Sequence, residues 1–133
     1  MNLSMFPLPI ELQDIVKSYI FVPFDKIELK LKIADVLGKK NHGMKIWNVK
    51  LVRDMSSLLA DKNFNVDISQ WDVSMVTNMS SMFGGASSFN QSLSSWNVSN
   101  VRNMSWMFCG AESFNQSLEC WDVSILRMYD KIV

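Results

Sequence analysis

The chain has little of what catalysis or metal binding needs. Its 133 residues include one histidine, two cysteines, five glycines and three prolines. The histidine, His42, has no cysteine or acidic partner at the spacing of a metal site or a catalytic triad, and phosphate-binding loops and hydrolase motifs are absent. We therefore predict that the protein is not an enzyme, has no catalytic or metal-binding residues and binds no cofactor.

The chain also lacks an excess of charge and a long apolar run. Thirteen basic residues balance thirteen acidic ones, so no overall field attracts nucleic acid or an anionic membrane. No stretch approaches the roughly 18 apolar residues of a membrane-spanning helix, and residues 1–7 do not resemble a signal peptide. We predict an intracellular protein, unless a signal was removed, and a viral particle is one such setting. The predicted partner is another protein, not nucleic acid or a membrane.

What the chain does have is a tryptophan that returns at a fixed interval. Trp47, Trp71, Trp96 and Trp121 are 24, 25 and 25 residues apart. Residues 71–95 (repeat 2) and 96–120 (repeat 3) are identical at 17 of 25 aligned positions. Residues 47–70 (repeat 1) are one residue short, and the gap is predicted where repeat 2 reads Gly84-Gly85. Such a period indicates a solenoid, in which stacked repeats form the core.

Within a repeat the apolar spacing changes from two residues to three and four. Trp96 and Val98 share one face of an extended segment, which predicts a short strand with Ser95 and Asn97 facing outward. The spacing that follows predicts two helical turns over Val101, Met104, Met107 and Phe108, with Ser99 as the N-cap and Gly110 as the left-handed residue after the helix. The predicted class is α/β: a short right-handed leucine-rich-repeat-like solenoid, with one short parallel strand and one short helix per 25-residue repeat and with N-terminal capping helices.

Polar residues that return with the tryptophans are explained by stacking. Asn90 and Asn115 recur beside Phe89 and Phe114, at a bend where backbone groups would otherwise lack partners. An unsatisfied buried group costs about 1–3 kcal/mol, so we predict an asparagine ladder between neighbouring repeats. The cysteines, Cys109 and Cys120, replace a Gly and a Ser of repeat 2 and are expected to be free thiols.

The shared pattern W-[DN]-V-S-x-V-x-N-M-S-x-M-F closely resembles the 25-residue repeat of BspA-like leucine-rich-repeat surface proteins. The resemblance covers residues 46–124 and implies adhesion or protein binding. Residues 24–37 are similar to the amphipathic helix that precedes the first repeat in that family. Asp25 is the predicted N-cap of this helix and Gly38 its stop. Its predicted buried face carries Ile27, Leu31, Ala34 and Leu37.

The chain is therefore divided into three parts. Residues 46–133 form the repeat solenoid, whose last repeat is degenerate, and residues 24–45 form a capping helix and a turn. Residues 1–23 contain an amphipathic segment that weakly resembles the opening of an F-box, and two interpretations of it remain: a helix packed on the cap or a partner, and an F-box-like interaction segment. The residues of this N-terminal interaction helix are Leu8, Pro9, Leu12, Ile15, Val16 and Tyr19.

Three functional hypotheses follow. The first is a non-catalytic protein-binding module built from leucine-rich-like repeats. The second is a structural subunit of a larger assembly, for example a viral one, held through its ends and its N-terminal helix, with end-to-end pairing through the C-terminal repeat. The third is an F-box-like substrate adaptor for ubiquitin ligation. For the first, the predicted partner-binding residues lie on the outward side of the strands: Asn48, Gln70, Asp72, Ser95, Asn97, Cys120 and Asp122.

Overall fold

One α-helix and a series of stacked turns make up the described part of the protein. The structure, a computed structural model, describes residues 23, 25–37, 44, 47–126 and 132. The helix, α1, spans Lys26–Leu37. Asp25 caps it, because its Oδ1 accepts a hydrogen bond of 3.0 Å from the backbone N–H of Glu28. The predicted N-cap is confirmed, whereas Gly38 lies outside the described residues.

The buried face of α1 is not the predicted one. Leu29 and Ile33 are fully buried, whereas Ile27 and Leu31 are 67% and 68% exposed. At about 100° per residue, positions two apart lie on nearly opposite sides of a helix, so α1 has two apolar sides. The apolar periodicity is satisfied by either side, and contact with the repeats decides which is buried. Ala34 is also exposed, and Leu37 is half-buried.

Repeats 1, 2 and 3 lie side by side and are joined by backbone hydrogen bonds. The N–H groups of Met79, Ser81, Phe83 and Gly85 donate to the carbonyls of Asn103, Ser105, Met107 and Cys109, at 2.7–2.9 Å. Repeat 1 donates to repeat 2 in the same way, from Met55, Ser57, Leu59 and Asp61. In each series the donor and the acceptor both advance by two residues along the chain. The neighbouring repeats therefore run parallel and stay in register.

The residues predicted to form a short helix in each repeat form turns instead. Between the inter-repeat bonds, the N–H of Met82 donates to the carbonyl of Met79 and that of Gly84 to the carbonyl of Ser81, each closing a four-residue turn. Ser81 has φ 52°, which an α-helix does not allow. Spacings of three and four fit these turns as well as a helix. A two-turn helix is marginal by itself, and bonds between the repeats take its place.

The predicted strands are also absent from the described repeats. Parallel bridges join Asp54 to Asn78 and Asn78 to Asn103, seven residues after each tryptophan. The segments that begin at Trp71 and Trp96, where strands were expected, form no ladder. Buried and exposed residues do alternate in these segments, as predicted. This alternation does not require the hydrogen-bonded pairing of neighbouring backbones that defines a strand.

The missing residue of repeat 1 lies later than predicted. Asp61 has φ 55° and occupies the position of Gly85, which has φ 69°, and of Gly110, which has φ 73°. Side-chain bonds across repeats have an offset of 25 from Asn63 onward, since Ser88 Oγ donates to Asn63 Oδ1. The gap therefore follows Asp61. It does not replace one of the two glycines.

The core is a set of aligned side chains from successive repeats. Trp47, Trp71, Trp96 and Trp121 are at most 7% exposed. The indole N–H groups of the last three donate to main-chain carbonyls of Met44, Ile68 and Leu93 at 2.6–3.2 Å. Phenylalanines stack beside them, with the rings of Phe83 and Phe108 5.3 Å apart and almost parallel. Because the indole N–H is satisfied, the ring can be buried without a polar penalty.

The predicted asparagine ladder is present. The backbone N–H of Asn90 donates to Asn65 Oδ1, and that of Asn115 to Asn90 Oδ1, each at 2.9 Å. Gln116 Nε2 adds a bond of 3.0 Å to the same Asn90 oxygen. These amides hold the return side of each repeat to its neighbour.

Candidate protein-binding surface

The seven residues predicted to bind a partner are all exposed. Four of them occupy the same repeat position and form what is called here the polar row: Asn48, Asp72, Asn97 and Asp122. Gln70, Ser95 and Cys120 precede the tryptophans and are exposed as well. The structure therefore places all seven on the outside, although the segments that carry them are turns.

Each side chain of the polar row closes a local turn. Oδ1 of Asp72 accepts from the backbone N–H of Ser74 at 3.1 Å and from its hydroxyl at 2.6 Å. Asn97 does the same with Ser99, at 3.1 and 2.7 Å. Asn48 and Asp122 accept backbone bonds of 3.2 and 3.1 Å from the residues two positions on. This explains why only Asp and Asn occur there: both offer an oxygen at the right reach.

These bonds also favour the charged form of the aspartates in the polar row. The hydroxyl of Ser74, its backbone N–H and the nearby charge of Lys50 together lower the pKa of Asp72 below its model-peptide value of 3.8. The hydroxyl and N–H of Ser124 lower the pKa of Asp122. Both groups are therefore carboxylates at neutral pH, and the row offers negative charge and hydrogen-bond acceptors to a partner.

The residues that precede the tryptophans differ in their contacts. Ser95 Oγ donates at 2.8 Å to the carbonyl of Ser69, across neighbouring repeats. Cys120 is an exposed free cysteine, as is Cys109. Ser95 is therefore also part of the stacking, whereas Gln70 and Cys120 extend the exposed polar surface.

A groove that sequence reasoning missed lies between α1 and repeats 1 and 2. Its volume is about 710 Å³, and its apolar lining comes from Ile27, Leu51 and Met75. Leu51 and Met75 occupy the same repeat position, four residues after the tryptophan. The sequence could have indicated the groove through the apolar residue that repeats 1 and 2 carry at this position, beside a polar turn. Repeat 3 has Asn100 at the same position, so the apolar character does not recur in every repeat.

One side of this groove is joined to α1 by a charged contact. Lys26 Nζ donates to Asp54 Oδ2 at 3.0 Å and to Ser56 Oγ at 2.7 Å. Partial burial raises the pKa of Asp54, but hydrogen bonds from Ser56 and Lys26 and the charge of Lys26 outweigh it, so the pKa lies below 3.8. The contact fixes the position of the helix N-terminus on repeat 1.

A second group of exposed apolar side chains lies in repeat 3 and in the degenerate last repeat, which starts at Trp121 and is called repeat 4 here. Trp106, Val123 and Ile125 are 51%, 38% and 47% exposed. Trp106 has φ 60°, at the position where repeats 1 and 2 carry serine. The N–H of Phe108 donates at 3.0 Å to the carbonyl of Ile132, so the chain end extends the bonding between repeats.

Other predicted features lie outside the described residues. These are His42 and the N-terminal interaction helix, with Leu8, Pro9, Leu12, Ile15, Val16 and Tyr19. In the part of the chain that the structure describes, no three His, Cys, Asp or Glu side chains are grouped to hold a metal ion. Among the same residues, no helix has the length and apolar character needed to cross a membrane.

Comparison with known proteins identifies a family. Residues 29–133 match the family described as "Mycoplasma protein of unknown function, DUF285". The match begins inside α1 and includes every repeat, and it is compatible with the BspA-like resemblance of the repeat pattern. No curated protein and no solved structure matches the sequence.

Proposed function

We propose that this chain, which belongs to the DUF285 family, is a non-catalytic protein-binding module built from leucine-rich-like repeats. The observation that carries the proposal is the polar row: four exposed Asp and Asn side chains at one repeat position, each held by its own turn. Side chains ordered before binding lose less conformational entropy when a partner is bound. A regular row on stacked repeats is a surface typical of binding proteins.

The experiment compares what the wild-type protein and a row variant retain from an extract of the source cells. The variant carries Asp72→Lys, Asn97→Lys and Asp122→Lys, and the retained proteins are quantified by mass spectrometry. We expect at least one protein to be lost from the variant, because lysine reverses the charge of Asp72 and Asp122, adds a charge at Asn97 and cannot accept a hydrogen bond. A matched control, Asp72→Asn with Asp122→Asn, keeps the oxygen that closes each turn.

One outcome would reject the proposal. Equal retention by the wild type and the lysine variant would show that the row is not the binding surface. Circular dichroism must show that the variant is folded, since lysine removes the turn bonds that Asp72, Asn97 and Asp122 accept.

The finer assignment, that the repeats are BspA-like and form a short right-handed solenoid, is supported by the shared pattern and by the parallel bonds between repeats 1, 2 and 3. The form we now propose has turns in place of the strand and helix of each repeat. The proposed location is intracellular, with a viral particle as one such setting.

A structural subunit is the second candidate function, and the exposed Trp106, Val123 and Ile125 favour it. Apolar side chains near the last repeat can pair end to end with a second molecule. Light scattering over a concentration series tests this: assembly that is lost in Ile125→Asp supports it. A strict monomer at tens of micromolar contradicts it.

The F-box-like adaptor remains a hypothesis about residues 1–23, of which the structure describes only Pro23. Capture of a ubiquitin-ligase adaptor by the full chain, but not after deletion of residues 1–23, would support it. Equal capture would exclude it.

A further inference from the structure

We infer that the groove between α1 and repeats 1 and 2 binds an acidic segment of a partner protein that also carries apolar side chains. The inference rests on the proposed protein-binding function and assigns it a second contact surface, beside the polar row. It identifies the partner by its chemistry: carboxylates beside a few large aliphatic or aromatic residues.

The apolar side chains that line the groove are exposed, although the core residues next to them are buried. Ile27, Leu51 and Met75 are 67%, 53% and 37% exposed, whereas the neighbouring Val49, Val52 and Val76 are fully or almost fully buried. The groove volume, about 710 Å³, lies in the range of binding sites that enclose a ligand. Several large apolar side chains around one concavity are typical of an interaction site, whereas isolated ones are ordinary.

The exposed side of α1 extends this surface. Leu31 follows Ile27 by one helical turn and is 68% exposed. Since Leu29 and Ile33 already attach the opposite side of α1 to the core, the Ile27 and Leu31 side is not required to hold the helix in place. An apolar stripe that packing does not use is available to a partner.

The charges around the groove favour an acidic occupant. Its two carboxylates are already used: Asp25 caps α1, and Asp54 accepts from Lys26 and from the backbone N–H of Ser56. Lys50 and Arg53 line the groove and are exposed. Lys50 also lies near the exposed Asp72, so Arg53 is the cation of the groove that an incoming carboxylate meets most directly. Complementary carboxylates increase the association rate and the specificity.

The same charges argue against a second molecule of this chain as the occupant. Pairing two grooves face to face would bring Lys50 and Arg53 of one molecule against those of the other. Like charges in contact disfavour such pairing. A partner with the opposite charge is therefore the better match to this surface.

The test is selection of a displayed library of random 16-residue peptides on the immobilised full-length chain. We expect the enriched peptides to be rich in Asp and Glu and to contain two or three large apolar residues. The best one is synthesised with a fluorescent label, and its affinity is measured by anisotropy. Binding should weaken at least about tenfold in the variant Leu51→Ser with Met75→Ser, because the central anchors of an interface dominate affinity.

Two further variants separate the contributions. Arg53→Glu should weaken binding roughly threefold or more, and the difference should shrink in 0.5 M salt, since exposed ion pairs are screened. Asn100→Ser is the matched control. Asn100 occupies the repeat position of Leu51 and Met75 but lies in repeat 3, outside the groove, so its substitution should leave the affinity unchanged.

Specific outcomes overturn the inference. Peptides without acidic residues, or equal binding to the Leu51→Ser, Met75→Ser variant, exclude the groove. If the peptides that exclude the groove instead lose binding to the variant with Asp72→Lys, Asn97→Lys and Asp122→Lys, the proposed function stands and only the groove is rejected as a binding site. A dimer in sedimentation that dissociates in the Leu51→Ser variant identifies a second molecule as the occupant. No enrichment on the wild-type chain counts against both proposals.

Discussion

At the scale of single residues, a side chain in this protein is defined by its repeat position. Trp71, Trp96 and Trp121 each bury the ring and donate the indole N–H to a carbonyl about one repeat earlier. Asp72 and Asn97 each close a turn with the serine two residues later. The same amino acid at another position behaves differently, as the exposed Trp106 shows.

Replacing Trp96 with Ala should lower the free energy of unfolding by about 3–5 kcal/mol, because the ring is 3% exposed and its removal leaves a cavity. Urea unfolding followed by circular dichroism measures the change. Trp106→Ala is the matched control, since that ring is 51% exposed. Its effect should stay within about 1 kcal/mol. Similar losses in the two variants would contradict the buried tryptophan ladder.

Replacing Gly85 with Ala should destabilise the protein by roughly 1–2 kcal/mol or more, because its φ of 69° is costly for a residue with a Cβ. An added Cβ would also collide with Oδ1 of Asp61. Gly84→Ala is the control: its nearest neighbour would be the Ser81 carbonyl oxygen at 3.3 Å, and its φ is not positive. Thermal unfolding should show the larger loss at Gly85, and Asp61→Gly should restore part of it.

At the scale of elements, α1 and the repeats are held by contacts that the sequence pattern does not identify uniquely. Lys26 reaches Asp54 and Ser56 from the first turn of the helix, and Leu29 and Ile33 enter the core. In the repeats, bonds between neighbouring coils replace the helix that the spacing predicted. In both places a local periodicity was consistent with two arrangements, and long-range contacts selected one.

The two sides of α1 should differ sharply in mutational cost. Leu29→Ala is expected to lower stability by about 2–4 kcal/mol, because Leu29 is fully buried. Leu31→Ala should change it by less than about 0.5 kcal/mol, because Leu31 is 68% exposed. Both variants keep a strong helix former, so helix propensity does not confuse the comparison. A larger loss of stability in Leu31→Ala than in Leu29→Ala would show that the Ile27 and Leu31 side of the helix is the buried one.

The link between α1 and repeat 1 should make stability sensitive to acid. The pKa of Asp54 is lowered below 3.8 in the folded protein, so its contribution is fully present above that value and is lost as the pH falls through the folded pKa. Melting temperatures at pH 5 and pH 2.5 measure the loss. In Asp54→Asn the loss should be smaller, since asparagine, which stands at the equivalent Asn78 and Asn103, keeps the turn without titrating. An unchanged acid sensitivity would contradict a role for Asp54.

At the scale of the whole molecule, the repeats should unfold as one unit. Repeat 2 is bonded on both sides, to repeat 1 through the N–H of Asp61 and to repeat 3 through the N–H of Gly85. In stacked repeats stability comes from the interfaces between neighbours, so a few well-coupled repeats behave cooperatively.

We therefore expect tryptophan fluorescence and far-ultraviolet circular dichroism to give the same urea midpoint. Val76→Ala in repeat 2, where Val76 is fully buried, should lower both midpoints together. Thr77→Ala is a control at a half-buried neighbouring position. Two separate transitions would show that α1 and the repeats unfold independently.

Residue identity and spacing are enough to identify the positions that repeat, and therefore much of the core. The tryptophan ladder, the asparagine ladder, the left-handed Gly85 and Gly110 and the N-cap Asp25 all follow from identity and spacing, because burial and special backbone angles restrict residue type at a single position. The exposure of the polar row was also predictable, since its residues alternate with buried ones.

The pairing of the backbone groups and the exposure of particular apolar faces depend instead on contacts between segments that are far apart in the chain. Residues 101–108 form turns because neighbouring repeats bond to their backbone: the carbonyls of Asn103, Ser105 and Met107 accept hydrogen bonds from N–H groups of repeat 2. Ile27 and Leu31 are exposed because Leu29 and Ile33 contact the core first. The groove exists only where α1 meets repeats 1 and 2, so it depends on the distance between segments that are far apart in sequence. The local sequence pattern is consistent with more than one arrangement of buried faces and backbone bonds, and packing against the rest of the chain selects one of them.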